Sequence, residues 1–272
     1  ARYVAPYDGE VTGQRDWIDG IKFGERTSDA AGFRHLRDLY TARTALADRV
    51  LGDLLAALDR SGRAQQTVVV VLSDHGEAFD EHNALEHGDN VYHEQVDVPL
   101  VFVGTAAKAG ARAGPASLID VAPTLLALAG LPRPAGMEGV DLLGGPLDPQ
   151  RPLLARDSAR LPMLGWTRGS LRLIVDLGTR RRGLYDLERD PAELANLVET
   201  RPVTGMLMYR ELCHAVCEAE EAAAPAAGEP VDEQLDEQIR QIGYTGGKAN
   251  SPIGVTVPLP LCGMLRSDLT RL

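Results

Sequence analysis

The chain has 272 residues, of which 44% are hydrophobic and 25% charged, as is typical of a globular protein with a sizeable core. Its 28 basic and 39 acidic residues give a formal net charge of −11, so we expect no basic surface for nucleic acid. No uninterrupted apolar run approaches the roughly 20 residues of a membrane span, and no membrane span is predicted.

The first elements along the chain predict a layered fold. Residues 1–33 are rich in Gly, Pro and Asp and predict irregular surface chain. A wide apolar stripe over residues 32–60 predicts a long helix. The β-branched run at 67–72 is typical of a strand buried on both faces of a parallel sheet, and residues 98–103 predict a second core strand. With an amphipathic helix over 118–129, this order indicates a layered α/β fold with a mostly parallel central sheet.

The second part of the chain predicts a small antiparallel sheet and a helix. Gly and Pro mark a boundary over residues 142–152. Residues 166–176 and 183–187 predict short antiparallel strands joined by an Arg-rich turn. Residues 204–221 then predict a helix.

The composition of the last fifty residues predicts a linker, a short helix and an appended or disordered tail. These lie at 220–229, 232–242 and 249–272. We therefore expect three parts: 1–150 as the larger layered portion, 151–222 as a small antiparallel sheet and helix, and 223–272 as linker, helix and tail.

Three cysteines, Cys213, Cys217 and Cys262, predict neither a disulfide framework nor a metal site. Cys213 and Cys217 lie one helical turn apart, and no nearby cluster of ligands completes a site. We interpret them as small apolar residues of a helix.

Side chains that can bind a metal ion or take part in catalysis are concentrated directly after the first predicted core strand. Asp74, His75 and Gly76 follow that strand, and four of the six histidines lie between His75 and His93. In open parallel sheets, ligand sites lie beyond the carboxyl ends of the strands. A carboxylate and an imidazole at that place predict a metal site, with Gly76 allowing a sharp turn of the backbone. The alternative is a solvated polar loop whose histidines bind nothing.

Several segments, in order, resemble the sulfatase family. No single one is specific, but together they span about residues 1–245. They are residues 40–48, Val69–Glu77, Glu81-His82, His87-Gly88, Tyr92, Val98–Leu100, Asp120–Leu125, Gly130–Pro132, Met137–Val140, Leu184–Pro191 and Asn196-Leu197.

The resemblance implies an alkaline-phosphatase-like layered fold, with residues 1–150 as the carboxy-terminal portion of the sulfatase catalytic domain. It also implies roles for five residues. Asp74 and His75 are expected to bind one divalent metal ion, with Ca²⁺ favoured over Mn²⁺ or Mg²⁺, although an imidazole at position 75 suits a transition metal better than an amide would. His87 is expected to be catalytic, contacting the sulfate or protonating the leaving oxygen. His82 and Glu77 are expected to support the site or to serve structure alone.

The chain also departs from the family pattern. The nucleophile, a Cys or Ser in a Cys/Ser-x-Pro-x-Arg motif that matures to formylglycine, does not occur in this sequence. Two further acidic metal ligands are also missing. Tyr3 and Pro6 resemble the stretch just after a catalytic His. We therefore expect the chain to be the carboxy-terminal part of the enzyme, with formylglycine only in the part that is missing.

The expected activity is metal-dependent hydrolysis of small-molecule or carbohydrate sulfate esters, with the chain by itself inactive. Two alternatives stay open. One is a phosphodiesterase, phosphonate hydrolase or phosphoethanolamine transferase of the same superfamily, and the other is a non-catalytic module. Compartment, oligomeric state and the particular substrate are not predicted.

Overall fold

A computed structural model describes residues 4–104, 110–157, 162–222 and 261–269. The chain divides into two units, Ala1–Leu197 and Val198–Leu272, each described here by itself. The helices are α1 Arg15–Lys22, α2 Ala30–Arg60, α3 His93–Val96, α4 Val121–Leu128, α5 Pro202–Ala222 and α6 Leu261–Leu269. The strands are β1 Val69–Leu72, β2 Ala78–Phe79, β3 Leu85–Glu86, β4 Leu100–Val103, β5 Leu153–Arg156, β6 Met163–Arg168, β7 Leu171–Asp176 and β8 Arg182–Asp186.

Helix α2 confirms the long helix that the apolar stripe predicts. It begins where the Asp29 carboxylate accepts the Gly32 N–H at 2.8 Å, which satisfies one of the free donors of the first turn. It ends beside Gly62, whose φ of +71° stops the helix.

The irregular chain expected over residues 1–33 is wrong for α1. This eight-residue helix has no side-chain cap at Gln14, so it lacks the usual local signal for a helix start. Tertiary packing stabilises it instead. Trp17, Ile18 and Ile21 pack against a buried cluster of Val11, Leu36 and Leu85.

The expectation of a mostly parallel central sheet is not confirmed in the described residues. β1 and β4 pair antiparallel, with Val69 opposite Val103 and Leu72 opposite Leu100. The β1 strand is half-buried rather than buried on both faces, and Leu72 is 41% exposed. A β-branched run indicates a strand but not the direction of its partner, which the path of the connecting chain decides.

The small antiparallel sheet is confirmed and is larger than predicted, with four strands in the order β5-β6-β7-β8. The single strand expected over residues 166–176 is two strands, because Gly169 at φ +59° lets the chain reverse between them. The Arg-rich turn between β7 and β8 is confirmed, with Arg180 at φ +61°. Leu164, Leu173 and Leu184 form a fully buried row across three strands.

The second unit corrects the interpretation of two cysteines and of the tail. Cys217 on α5 forms a disulfide with Cys262 on α6, and Cys213 is buried and not part of that disulfide. Residues 261–269, expected to be appended or disordered, form α6, whose first N–H groups donate to the Glu220 carboxylate at 2.7 and 3.1 Å. Partners 45 residues apart leave no local signal, so the sequence could not pair these cysteines. The helix predicted at 232–242 and most of the linker lie outside the described residues.

Among the helices of the described part, none combines the length and the apolar character that crossing a membrane requires.

Candidate metal centre

The segment Ser73–Glu77 leaves the end of β1 in a conformation held by its own hydrogen bonds. The Ser73 hydroxyl donates to the His75 carbonyl at 2.6 Å, and the Gly76 N–H donates to the Gln95 carbonyl at 2.8 Å. A Cβ at Gly76 would overlap the Glu94 carbonyl oxygen. Glycine is therefore needed because α3 packs against this backbone, and not for the sharp turn that the sequence suggested.

A short hairpin brings His87 back to this segment. β2 and β3 pair antiparallel, with Ala78 opposite Glu86, and the loop between them turns through left-handed residues. Asp80, His82, Asn83 and Glu86 all have φ between 50° and 87°. Such conformations are unfavourable for residues other than glycine, so the surrounding structure must hold them.

Three side chains converge as a result. One ligand atom from each of His75, Glu77 and His87 lies within 4.8 Å of the other two. The two imidazole rings stack with their centroids 3.7 Å apart, and His87 Nδ1 lies 3.0 Å from Glu77 Oε1. The sequence reasoning gave Glu77 a supporting role at most, but its carboxylate lies inside the cluster.

Asp74 lies at the edge of this cluster. One of its carboxylate oxygens is 3.8 Å from His75 Nε2, and its side chain is 67% exposed. The same oxygen accepts the His75 backbone N–H at 3.1 Å. The two residues predicted as metal ligands therefore lie side by side at the protein surface.

These side chains fit a divalent cation. Two imidazoles and the Glu77 carboxylate offer nitrogen and oxygen ligands within 4.8 Å of one another, and the Asp74 carboxylate lies 3.8 Å from His75 Nε2. Imidazole nitrogen suits first-row transition metals, whereas Ca²⁺ prefers a shell of oxygen ligands. The donor set thus favours Mn²⁺ more than the sequence expectation did.

A cavity of about 670 Å³ adjoins the cluster. Its wall includes Asp74, His75 and His87 on one side and residues of the antiparallel sheet on the other, among them Arg156 and Arg172. A cavity of this size can hold a small organic ester.

His82 is not part of this cluster, and its side chain is 11% exposed. Its ring is parallel to that of Tyr92, with centroids 3.6 Å apart. Nδ1 lies 3.0 Å from the Glu94 carboxylate, and Nε2 lies 3.2 Å from the Glu193 carbonyl oxygen. Both ring nitrogens therefore have partners within the protein.

Sequence reasoning missed a buried ion network beneath α3. The Glu193 carboxylate accepts the His93 N–H at 2.6 Å and an Arg172 N–H at 3.2 Å, and Arg172 also donates to Asp97 at 2.9 Å. Burial raises the pKa of Glu193, and the opposing effects of Arg172 and of the His93 N–H do not cancel it. The available signal was an arginine within the apolar strand Leu171–Asp176, because a buried guanidinium needs acidic partners.

A second buried carboxylate holds the region after β4. Asp120 receives two hydrogen bonds from Arg151, at 2.7 and 2.8 Å, and the backbone N–H groups of Ser117 and Val140 at 2.8 Å each. Burial would raise the pKa of Asp120, but these hydrogen bonds and the Arg151 charge lower it below the ordinary value of 3.8.

Comparison with known proteins finds sulfatases among the relatives of this chain. The sulfatase family model matches residues 2–131. Arylsulfatase K of Danio rerio is 37% identical over 111 residues, covering 40% of this chain and 21% of the relative. Choline-sulfatase of Rhizobium meliloti (strain 1021) is 30% identical over 175 residues, covering 61% of this chain and 34% of the relative. The chain thus spans about a fifth to a third of the length of these relatives.

Solved structures share the fold at lower identity. A 2-O GAG sulfatase superposes with a TM-score of 0.63 at 21% identity, covering 82% of this chain and 51% of its own. A protein solved with its substrate D-glucosamine-2-N,6-O-disulfate gives 0.62 at 20% identity, covering 79% and 47%. The phosphonate monoester hydrolase of Silicibacter pomeroyi gives 0.60 at 19% identity, covering 71% and 43%. The match over residues 2–131 and these relatives show that this part of the chain is similar to the sulfatase family.

Proposed function

We propose that this chain carries the metal-binding side of the active site of a metal-dependent sulfuric ester hydrolase. The observation that supports it is the convergence of His75, Glu77 and His87, with Asp74 at the edge of this cluster, next to a cavity that Asp74, His75 and His87 line. A bound divalent ion would act there as a Lewis acid on an ester oxygen.

Asp74 and His75 are the proposed ligands of the ion. They follow each other at the end of β1, and their side chains meet at 3.8 Å. Glu77 and His87 are close enough to contribute further donors. We thus propose that Asp74 and His75 bind the metal ion, whereas His87 in the same cluster acts in catalysis.

His87 is the proposed catalytic residue. A carboxylate partner at Nδ1 favours the tautomer with the proton on Nδ1, so Nε2 is the nitrogen that can meet a substrate. When His87 is protonated, Nε2–H can donate to the oxygen that leaves sulfur, which stabilises the charge that develops on it.

The proposed substrates are sulfate esters, including those of carbohydrates. Sulfatase relatives and a fold neighbour solved with a disulfated glucosamine support this class. The sequence contains no Cys/Ser-x-Pro-x-Arg motif, so turnover needs a nucleophile from outside these 272 residues. We therefore expect this chain to bind metal and ester but to leave the ester intact.

Calorimetric titration tests the proposal. We expect Mn²⁺ to bind with one-to-one stoichiometry, and 4-nitrophenyl sulfate to bind only once the metal is present. Undiminished Mn²⁺ binding by Asp74→Ala and His75→Ala together would place the metal elsewhere and reject the proposal.

Phosphonate ester hydrolysis is the second candidate, favoured by the fold neighbour of that activity. Competing a phosphonate monoester against the sulfate ester on the Mn²⁺-loaded chain separates the two. Tighter binding of the phosphonate would favour this candidate. A Cys-x-Pro-x-Arg motif encoded upstream of Ala1 would instead support the sulfatase.

A further inference from the structure

Gln95 is a buried amide on α3 that borders the same cavity as the metal cluster. It is only 4% exposed and lies between Glu94 and Val96. α3 is held from below, because the Glu193 carboxylate accepts the His93 N–H at 2.6 Å. The position of Gln95 is therefore set by buried contacts and not by solvent.

Gln95 makes one hydrogen bond to the segment that carries His75 and Glu77 and one to the segment that carries His87. Its backbone carbonyl accepts the N–H of Gly76, which lies between His75 and Glu77, at 2.8 Å. Its side-chain Oε1 accepts the N–H of Gly88, the residue after His87, at 2.9 Å. One residue thus joins two backbone segments that are a dozen positions apart.

We propose that Gln95 is a positioning residue that sets the separation between the His75–Glu77 pair and His87. This inference rests on the proposed function of the cluster as a metal centre. Ligands of a metal ion must be held at defined distances, and partners behind the ligands supply that constraint. A residue bonded to both backbones does so without touching the ion.

The amide of Gln95 has a defined orientation. Because only an oxygen can accept the Gly88 N–H, Nε2 must point the other way. Nε2 is buried and has no hydrogen-bond partner among the residues that the structure describes. A buried N–H without an acceptor is unfavourable. The contribution of the amide is therefore the hydrogen bond that its Oε1 accepts from Gly88.

The test variants are chosen because Oε1 of Gln95 makes a hydrogen bond whereas Nε2 makes none among the described residues. Gln95→Met keeps the length and apolar stem but has no acceptor for the Gly88 N–H. Gln95→Glu keeps an acceptor and has no unsatisfied N–H. Thr124→Val is the matched control, because the Thr124 hydroxyl accepts the Leu142 N–H at 2.9 Å within the core, outside the cluster.

Two measurements read out the role. Calorimetry gives the Mn²⁺ affinity, and amide hydrogen exchange in the metal-free protein gives the protection of the Gly88 N–H. We expect Gln95→Met to weaken Mn²⁺ binding about tenfold or more and to lose protection at Gly88. Gln95→Glu should keep both, and Thr124→Val should lower the melting temperature while leaving Mn²⁺ affinity unchanged. Should Gln95→Met fail to fold, Gln95→Ala, which leaves space for water, takes its place with the same expected losses.

Three results would overturn the inference. One is unchanged Mn²⁺ affinity in Gln95→Met despite lost protection at Gly88. Another is an equal loss of affinity in Gln95→Met and Thr124→Val, which general destabilisation would explain. The third is Gln95→Glu weakening Mn²⁺ as much as Gln95→Met.

Failure of the proposed function gives a different pattern. If the unaltered chain binds no divalent ion, the metal centre is rejected, and the contact between the His75 and His87 rings in the metal-free protein decides the role of Gln95. Loss of the nuclear Overhauser effects between these rings in Gln95→Met would support positioning. Retention of those effects would overturn it.

Discussion

The Glu77 carboxylate lies 3.0 Å from Nδ1 of His87, while the ring of His87 stacks on that of His75. One imidazole is thus in contact with a carboxylate at its edge and with another imidazole on its face. The Glu77 carboxylate thus orients the His87 ring, and the proposed division assigns catalysis to His87 and cation binding to Asp74 and His75.

Metal binding should depend on Asp74 far more than on His87. We expect Asp74→Ala to weaken Mn²⁺ binding by more than about 100-fold, because it removes a proposed ligand. Loss of a residue behind the ligands usually costs about 10- to 100-fold. His87→Ala should weaken Mn²⁺ binding by only about tenfold, the lower end of that range, because the ring of His87 stacks on the proposed ligand His75 and helps to fix its position. Calorimetry on both variants measures the difference. Equal losses would instead make His87 a metal ligand, as its distance to His75 and Glu77 also allows.

The residue at position 75 should set the choice of metal. The unaltered chain should bind Mn²⁺ more tightly than Ca²⁺, because imidazole nitrogen suits a transition metal. His75→Asn replaces that nitrogen with an amide oxygen, so the ratio of the Mn²⁺ to the Ca²⁺ affinity should fall by about tenfold. Parallel titrations with the two ions measure this ratio, and an unchanged ratio would mean that His75 does not bind the ion.

The Asp120–Arg151 pair should stabilise the fold in a pH-dependent way. Because the pKa of Asp120 is lowered on folding, its contribution is present above 3.8 and is lost as the pH falls through the lower folded value. Asp120→Asn should therefore cost about 2 kcal/mol at pH 7, the scale of hydrogen bonds to a charged group. The difference from the unaltered protein should shrink below pH 3.8. Urea denaturation at several pH values checks it, and a constant difference would contradict the assignment.

Removing Arg172 should destabilise the network under α3 by leaving Glu193 buried without its cation. We expect Arg172→Met to cost about 3–5 kcal/mol at pH 7 and Arg172→Met with Glu193→Gln to cost less, because the second change removes the stranded charge. Urea denaturation of the two variants gives these values.

The pH dependence of that variant follows from the direction of the shift. The pKa of Glu193 is raised on folding, so the stability linked to its proton is present below 4.5 and is lost as the pH rises through the raised value. The cost of Arg172→Met should therefore be smaller at pH 4 than at pH 7. A cost that is the same at both pH values would show that Glu193 stays ionised at pH 4 and would contradict the assignment.

Local patterns in the sequence determined the long helix α2, the strand β1 and the placement of Asp74 and His75 just after that strand. An apolar stripe, a capping Asp29 and a β-branched run act over a few neighbouring residues, so they can be read without the fold. The Arg-rich turn between the antiparallel strands β7 and β8 is likewise encoded by a few neighbouring residues.

Only the tertiary structure decided the antiparallel pairing of β1 with β4, the contact of Glu77 with His87, the two hydrogen bonds of Gln95 and the Cys217–Cys262 disulfide. Each joins groups between seven and 45 residues apart in the chain. At such separations the path of the intervening chain sets which groups meet, and no periodicity or cap encodes it.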